Sequence, residues 1–128
     1  MSIFVFAHEM AFTCALHGDK ESMAKFKADR HAFLGLLEMY GVRSFFAGHD
    51  HTYDWKEIKS SKWPANYSLN QIVAGTAGAP FYKDRGCYGD HGGYDLVRKD
   101  RKDTPMGNIL ADVDDKEAVK VSFKEIQP

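Results

Sequence analysis

Two apolar, β-forming runs with one helical pattern between them constrain this chain more than any other feature. Ile3-Phe4-Val5-Phe6-Ala7 is continuous and rich in β-formers, the pattern of a strand buried on both faces. Val42 to Ala47 is a second run, interrupted only by Arg43 and Ser44. Between them Met23, Phe26, Arg30, Phe33, Leu36, Leu37 and Tyr40 recur at helical spacing, with Lys25, Lys27, Asp29 and Glu38 on other faces. This predicts a helix over residues 22–40, capped by Asp19 or Ser22, with Glu21 in its first turn and Gly41 as its stop. The crossover is long enough for a parallel βαβ unit, whose two strands end on the same side. His8 and the pair His49/His51 then share one sheet edge, where open α/β sheets place their sites.

Further along, Tyr53 to Lys59 alternates like a strand leaving that edge, and Ser60 to Asn66 reads as a loop holding Trp63-Pro64. Leu69 to Ala74 is another strand, closed by Gly75-Thr76-Ala77-Gly78-Ala79-Pro80. Residues 81–93 are irregular, and Trp55, Trp63, Phe81 and Tyr82 are candidates to line a groove or pack in loops. Gly93 to Arg98, Ile109 to Asp114 and Ala118 to Ile126 predict a closing β-meander. The expected class is α/β: mixed sheets, one main amphipathic helix and a β-rich C-terminal meander. Residues 1–128 form one domain or part of one, and 44% hydrophobic residues suffice for a core. A net charge of -1 argues against a general attraction to nucleic acid or acidic membranes. No apolar stretch approaches the roughly 20 residues of a membrane span. Met1 to Phe12 lacks the basic start and small-residue cleavage site of a signal peptide. Cys14 and Cys87 are read as two buried free thiols, with one disulfide as the alternative.

Imidazole suits Zn, Mn and Fe ions, and histidines clustered at loop positions are the raw material of metal sites. In the turn after a strand the two rings of a His-x-His diverge, so they suit two neighbouring ions, as in a binuclear centre that clamps a phosphoryl group. A histidine at a strand end, taken alone, reads as a hydrogen-bonded rim residue. Three sharing one edge, His8, His49 and His51, read as ligands.

Val5-Phe6-Ala7-His8 and Gly48-His49-Asp50-His51 resemble the last two motifs, VxxH and GHxH, of the calcineurin-like metallophosphoesterases, and most closely their purple-acid-phosphatase-like branch. His51-Thr52-Tyr53-Asp54, the helix end Leu36-Leu37-Glu38-Met39-Tyr40-Gly41-Val42 and the strand end from Gln71 to Pro80 extend the resemblance over most of residues 3 to 98. It implies a sandwich fold and metal-dependent hydrolysis of phosphate esters by two Zn, Mn or Fe ions acting as Lewis acids. His8 and His49 would bind one metal and His51 the other. The family's earlier motifs, including the carboxylate that bridges the metals, belong upstream of VxxH. The resemblance therefore implies the C-terminal part of such an enzyme, inactive or nearly so by itself and holding at most one weakly bound ion. Gly89-Asp90-His91 resembles one earlier motif but stands in the wrong order. Met10 stands where the family often has Pro, which predicts a less rigid loop. An exported parent is implied by resemblance alone.

Asp50 and Tyr53 are candidates to support the ligands from behind, since a ligating imidazole donates its other N–H to an acceptor, a carboxylate or a backbone carbonyl. His17 and His91 are candidates to line a substrate pocket, against a solvated-loop alternative, and His31 reads as a helix-packing or surface residue. Gly75 and Gly78 are read as points of close backbone approach or turns rather than phosphate cradles. The alternative to an enzyme part is a catalytically incompetent domain that self-associates through exposed sheet edges or binds a partner.

Overall fold

A computed structural model describes residues 2–14, 23, 25–76, 80–81, 86–87, 89–102, 106–114, 116 and 119–126. Strand β1 is Phe4–Ala7, helix α1 is Lys27–Met39 and β2 is Ser44–Ala47. They are followed by β3 (Tyr53–Ser60), β4 (Leu69–Ala74), β5 (Gly89–Asp90) and β6 (Tyr94–Lys102). The last pair is β7 (Gly107–Val113) and β8 (Val119–Glu125). A six-stranded sheet has the order β1-β2-β4-β3-β6-β5. β1, β2 and β4 run parallel, while β3 is antiparallel to both β4 and β6. The predicted mixed α/β architecture and its parallel βαβ unit are both present.

The helix differs from its expected form. It starts at Lys27 with Phe26 at the N-cap and no side-chain cap bond; Asp19, Glu21 and Ser22 lie outside the described residues. Arg30, Leu34 and Leu37 face the core, whereas Phe26, Leu36, Met39 and Tyr40 are exposed. Apolar residues occur around most of this helix, so sequence spacing alone merges two faces. Arg30 can sit inward because its guanidinium lies 4.4 Å over the Phe12 ring. Gly41 does stop the helix. At φ +66° it lets its own N–H reach Glu38 O and the Val42 N–H reach Leu37 O, a Schellman ending.

On the sheet, Val5, Ala7, Phe45 and Ala47 pack with Leu34, Leu37, Met10 and Phe12 in one core. Alternation puts Phe4, Phe6 and Phe46 on the opposite face. There they line an apolar groove of about 560 Å³ against Ile109, Ala111 and Val113 of β7. The expected C-terminal meander is not formed. β6 joins the main sheet beside β3, and among the described residues β7 pairs with β8 alone. Alternation reveals that a segment is a strand, but its partner depends on which surfaces meet. Tyr94 and Leu96 of β6 belong to the core, while Phe123 of β8 stacks on Tyr53 across the sheet, ring centroids 4.7 Å apart.

The cysteines correct a second expectation. They are not free thiols: Cys14 and Cys87 form a disulfide, Cα atoms 5.0 Å apart across 73 residues of sequence. Pairing at that separation is set by tertiary structure and leaves no local trace.

Candidate metal centre

The histidine turn owes its path to strand order. β4 lies between β2 and β3, so residues 48–52 must cross over the C-terminal end of β4. The crossing brings backbone onto backbone: a Cβ added at Gly75 would lie 1.7 Å from Asp50 O and 2.7 Å from its carbonyl carbon. Gly75 is thus a point of close approach, as its sequence context suggests; Gly78 lies outside the described residues. The turn is held by Gly48 N–H to His8 O (3.0 Å), Asp50 N–H to Gly48 O (2.8 Å) and Thr52 N–H to Asp50 O (2.8 Å). Among the described residues, His49 is the one non-glycine with positive φ, 62°. That conformation is costly for a side chain with a Cβ and is found disproportionately at functional sites.

His8 and His49 are brought together. Nε2 of His8 lies 3.0 Å from Nδ1 of His49, and the two rings meet edge to face with centroids 5.0 Å apart. Without an ion, one nitrogen donates to the other. Two nitrogens bound at about 2.1 Å to a common ion lie roughly 3.0 Å apart for a right-angled pair and about 3.4 Å for a tetrahedral one. The pair therefore fits two adjacent positions on one ion. His51 is oriented separately: Nδ1 donates to the Pro80 carbonyl at 2.7 Å, which leaves the ring's lone pair on Nε2. Among the described residues no three His, Cys, Asp or Glu side chains converge on one metal position. The donors fit part of the coordination of one ion and do not by themselves form a binuclear cage.

The other candidates sit elsewhere. Asp50 is buried and accepts from Thr13 Oγ1 at 2.5 Å; the acceptor for His51 is a backbone carbonyl. Tyr53 is buried against Phe123 and hydrogen-bonded to Asp100. Burial, with Asp100 and Asp54 nearby, pushes its phenol up to about 12. His91 lies in the β5–β6 turn, its ring 6.1 Å from that of Phe12, and His17 is outside the described residues. His31 on α1 meets the Tyr94 hydroxyl at 3.0 Å. Trp63 packs on Tyr67 and Tyr94, and Trp55 donates to Asn70 Oδ1 at 2.9 Å. Phe81 is exposed, and Tyr82 lies outside the described residues.

Beneath the site lies a buried polar cluster that sequence reading missed. Gln71 Oε1 accepts the backbone N–H groups of Ala11 (2.9 Å) and Phe12 (3.0 Å), and Gln71 Nε2 donates to Phe12 O (2.7 Å). Lys56, the cross-strand neighbour of Gln71, is fully buried. It pairs with Asp54 and donates to Phe12 O at 3.0 Å. Burial lowers the Lys56 ammonium pKa, with Asp54 opposing that shift. These contacts anchor the loop after His8, and Met10 within it is fully buried in the core. The signal was present as Asp54-x-Lys56-x-Ile58, opposite charges two apart on a strand face that ends apolar.

No protein-family model matches this chain, and no curated protein matches it.

Proposed function

We propose that this chain carries the C-terminal metal-ligating strand ends of a metal-dependent phosphoesterase of the calcineurin-like type. The observation that carries this reading is the 3.0 Å approach of His8 to His49 at the ends of two adjacent parallel strands. The resemblance names that pair as ligands, and their proximity supports the reading. The resemblance assigns both residues to one ion, and the nitrogen spacing suits that assignment. The fixed Nδ1–H of His51 supports its role as a ligand through Nε2. A bound Zn, Mn or Fe ion would supply Lewis acidity toward a phosphate ester. The chain's own residues hold two imidazoles in register and fix the tautomer of a third. They bring no bridging carboxylate to the pair among the described residues. The chain alone is accordingly expected to give no turnover of an aryl phosphate with added Zn²⁺, Mn²⁺ or Fe²⁺. Metal-dependent turnover abolished by His49→Ala would contradict that division of labour, since it would show a complete centre here.

A second reading, self-association, is favoured by one specific surface. β1 is a sheet edge with no charge, proline or bulge to block pairing, and Phe6 on it is 74% exposed. The opposite edge, β5, is two residues long and ends in Asp90.

A further inference from the structure

Arg30 is a buried cation without an anion. It is 6% exposed, its guanidinium lies 4.4 Å over the Phe12 ring, and its Nε is buried with no hydrogen-bond partner. Among the described residues no carboxylate pairs with it; burial lowers its pKa, and the group opposing that shift is the Tyr94 phenol. Arginine is rarely this buried unless an anion accompanies it, because a ring face recovers only part of the lost hydration. Its place in the helix adds to the imbalance. Arg30 closes the first turn of α1, which no side chain caps. Among the described residues the N–H groups of Lys27, Ala28 and Asp29 have no acceptor. Such a turn is the positive end of the helix dipole, where anions are favoured and lysines are not. Yet Lys27 opens the helix, and Lys25 holds its ammonium 5.7 Å from the ring centroid of Phe26, the N-cap. Asp29, the one carboxylate of residues 25–31, is exposed and forms no ion pair among the described residues. Helical side chains lean toward the N-terminus, which carries the guanidinium back toward the free N–H groups.

We propose that the N-terminal turn of α1 is a phosphate-binding site, in which the N–H groups of Lys27, Ala28 and Asp29 and the Arg30 guanidinium donate to one phosphate group. The donor set selects among oxyanions. Backbone N–H groups together with a guanidinium fork offer more donors than the two oxygens of a carboxylate can use, and they suit a tetrahedral anion. The bound phosphate supplies the counter-charge that Arg30 lacks, and the exposed Lys25 and Lys27 add to its attraction. Asp29 opposes it from the same turn, which limits the affinity.

The proposal shares no residue with the His8–His49 pair and does not depend on the phosphoesterase reading. The test is a ¹H–¹⁵N titration of the disulfide-intact chain, with EDTA present, at one pH and constant ionic strength. Inorganic phosphate and methyl phosphate are the probes, acetate and chloride the comparisons. The amides of Lys27, Ala28 and Asp29 and the Nε–H of Arg30 are expected to shift together on one saturating curve, with a Kd on the order of 1 mM. Tighter binding of inorganic phosphate assigns the free ion as ligand, and equal or tighter binding of methyl phosphate assigns an esterified one. Acetate is expected to bind at least about fivefold more weakly, because it can use fewer of the donors. Arg30→Gln is expected to weaken phosphate binding by roughly tenfold, as loss of a charge-assisted hydrogen bond does. Asp29→Asn, on the surface, is expected to tighten it about twofold by removing the opposing charge, and it decides the matter if Arg30→Gln does not fold. No saturable shift at these four residues, an equal response to chloride or acetate, unchanged affinity in a folded Arg30→Gln, or affinity in Asp29→Asn that is unchanged or weaker would each overturn the proposal.

Discussion

At His49 and Gly75 the chain departs from ordinary backbone rules so that the histidine turn can cross β4. His49 takes a left-handed conformation that glycine would adopt at less cost, and Gly75 leaves a space that no other residue could. Gly75→Ala is expected to push Asp50 and His51 off β4 and lower stability by about 2 kcal/mol or more, as overpacking against backbone does. Urea unfolding checks this, and an unchanged midpoint would mean that the crossing is looser than described. The glycine was legible as a close approach because it ends a strand and no helix start follows it. What it approaches depends on strand order, which its own sequence context does not contain. The histidine pair was legible for a different reason: two parallel strands joined by a helix must end on one side, so His8 and His49 had to meet there.

At the scale of elements, β3 carries an uncommon load. Its inward face holds Asp54, Lys56 and Ile58, and Tyr53 faces Phe123 of β8. These groups make stability depend on pH in opposite senses. The folded-state pKa of Lys56 lies below its ordinary 10.5. The cost of burying its charge is present in full below the folded pKa and is relieved as pH rises from there toward 10.5. Tyr53 and Tyr67 are both raised from 10.0 to about 12, chiefly by burial. Their neutral forms contribute stability below pH 10 that is lost between 10 and about 12, on the order of 2 kcal/mol each. Urea unfolding from pH 8 to 12 is expected to show a falling limb above pH 10 that shrinks in Tyr53→Phe. An unaltered limb in that variant would remove Tyr53 from the account. Alternation marked β3 and β4 as strands with nearly their observed limits. It did not reveal that a lysine and a glutamine on them point inward, because polar residues on strands default to solvent. The helix stripe went astray by the converse route, with more apolar residues than one face can hold.

Across the whole molecule, one sheet face is covered by α1 and the loop after His8. The other is partly covered by the β7–β8 hairpin, with an apolar groove left beside the β1 edge. Through that edge the chain is expected to self-associate at high micromolar concentration. Size-exclusion chromatography of Phe6→Lys tests this: a dimer that persists in the variant would place the contact elsewhere. The class of fold was legible because period-2 and helical patterns alternate in chain order. The hairpin's separation from the main sheet and the disulfide were not, since both depend on contacts between segments far apart in sequence. The histidine edge draws on all three levels: left-handed backbone at one residue, a crossing forced by strand order, and two strand ends on one side of the sheet. Its chemistry is tested most directly by calorimetric titration of Zn²⁺ into the disulfide-intact chain. The account predicts one ion per chain, with binding lost in His8→Ala and in His49→Ala and retained in His51→Ala. Absence of binding, or binding that survives His49→Ala, would contradict it.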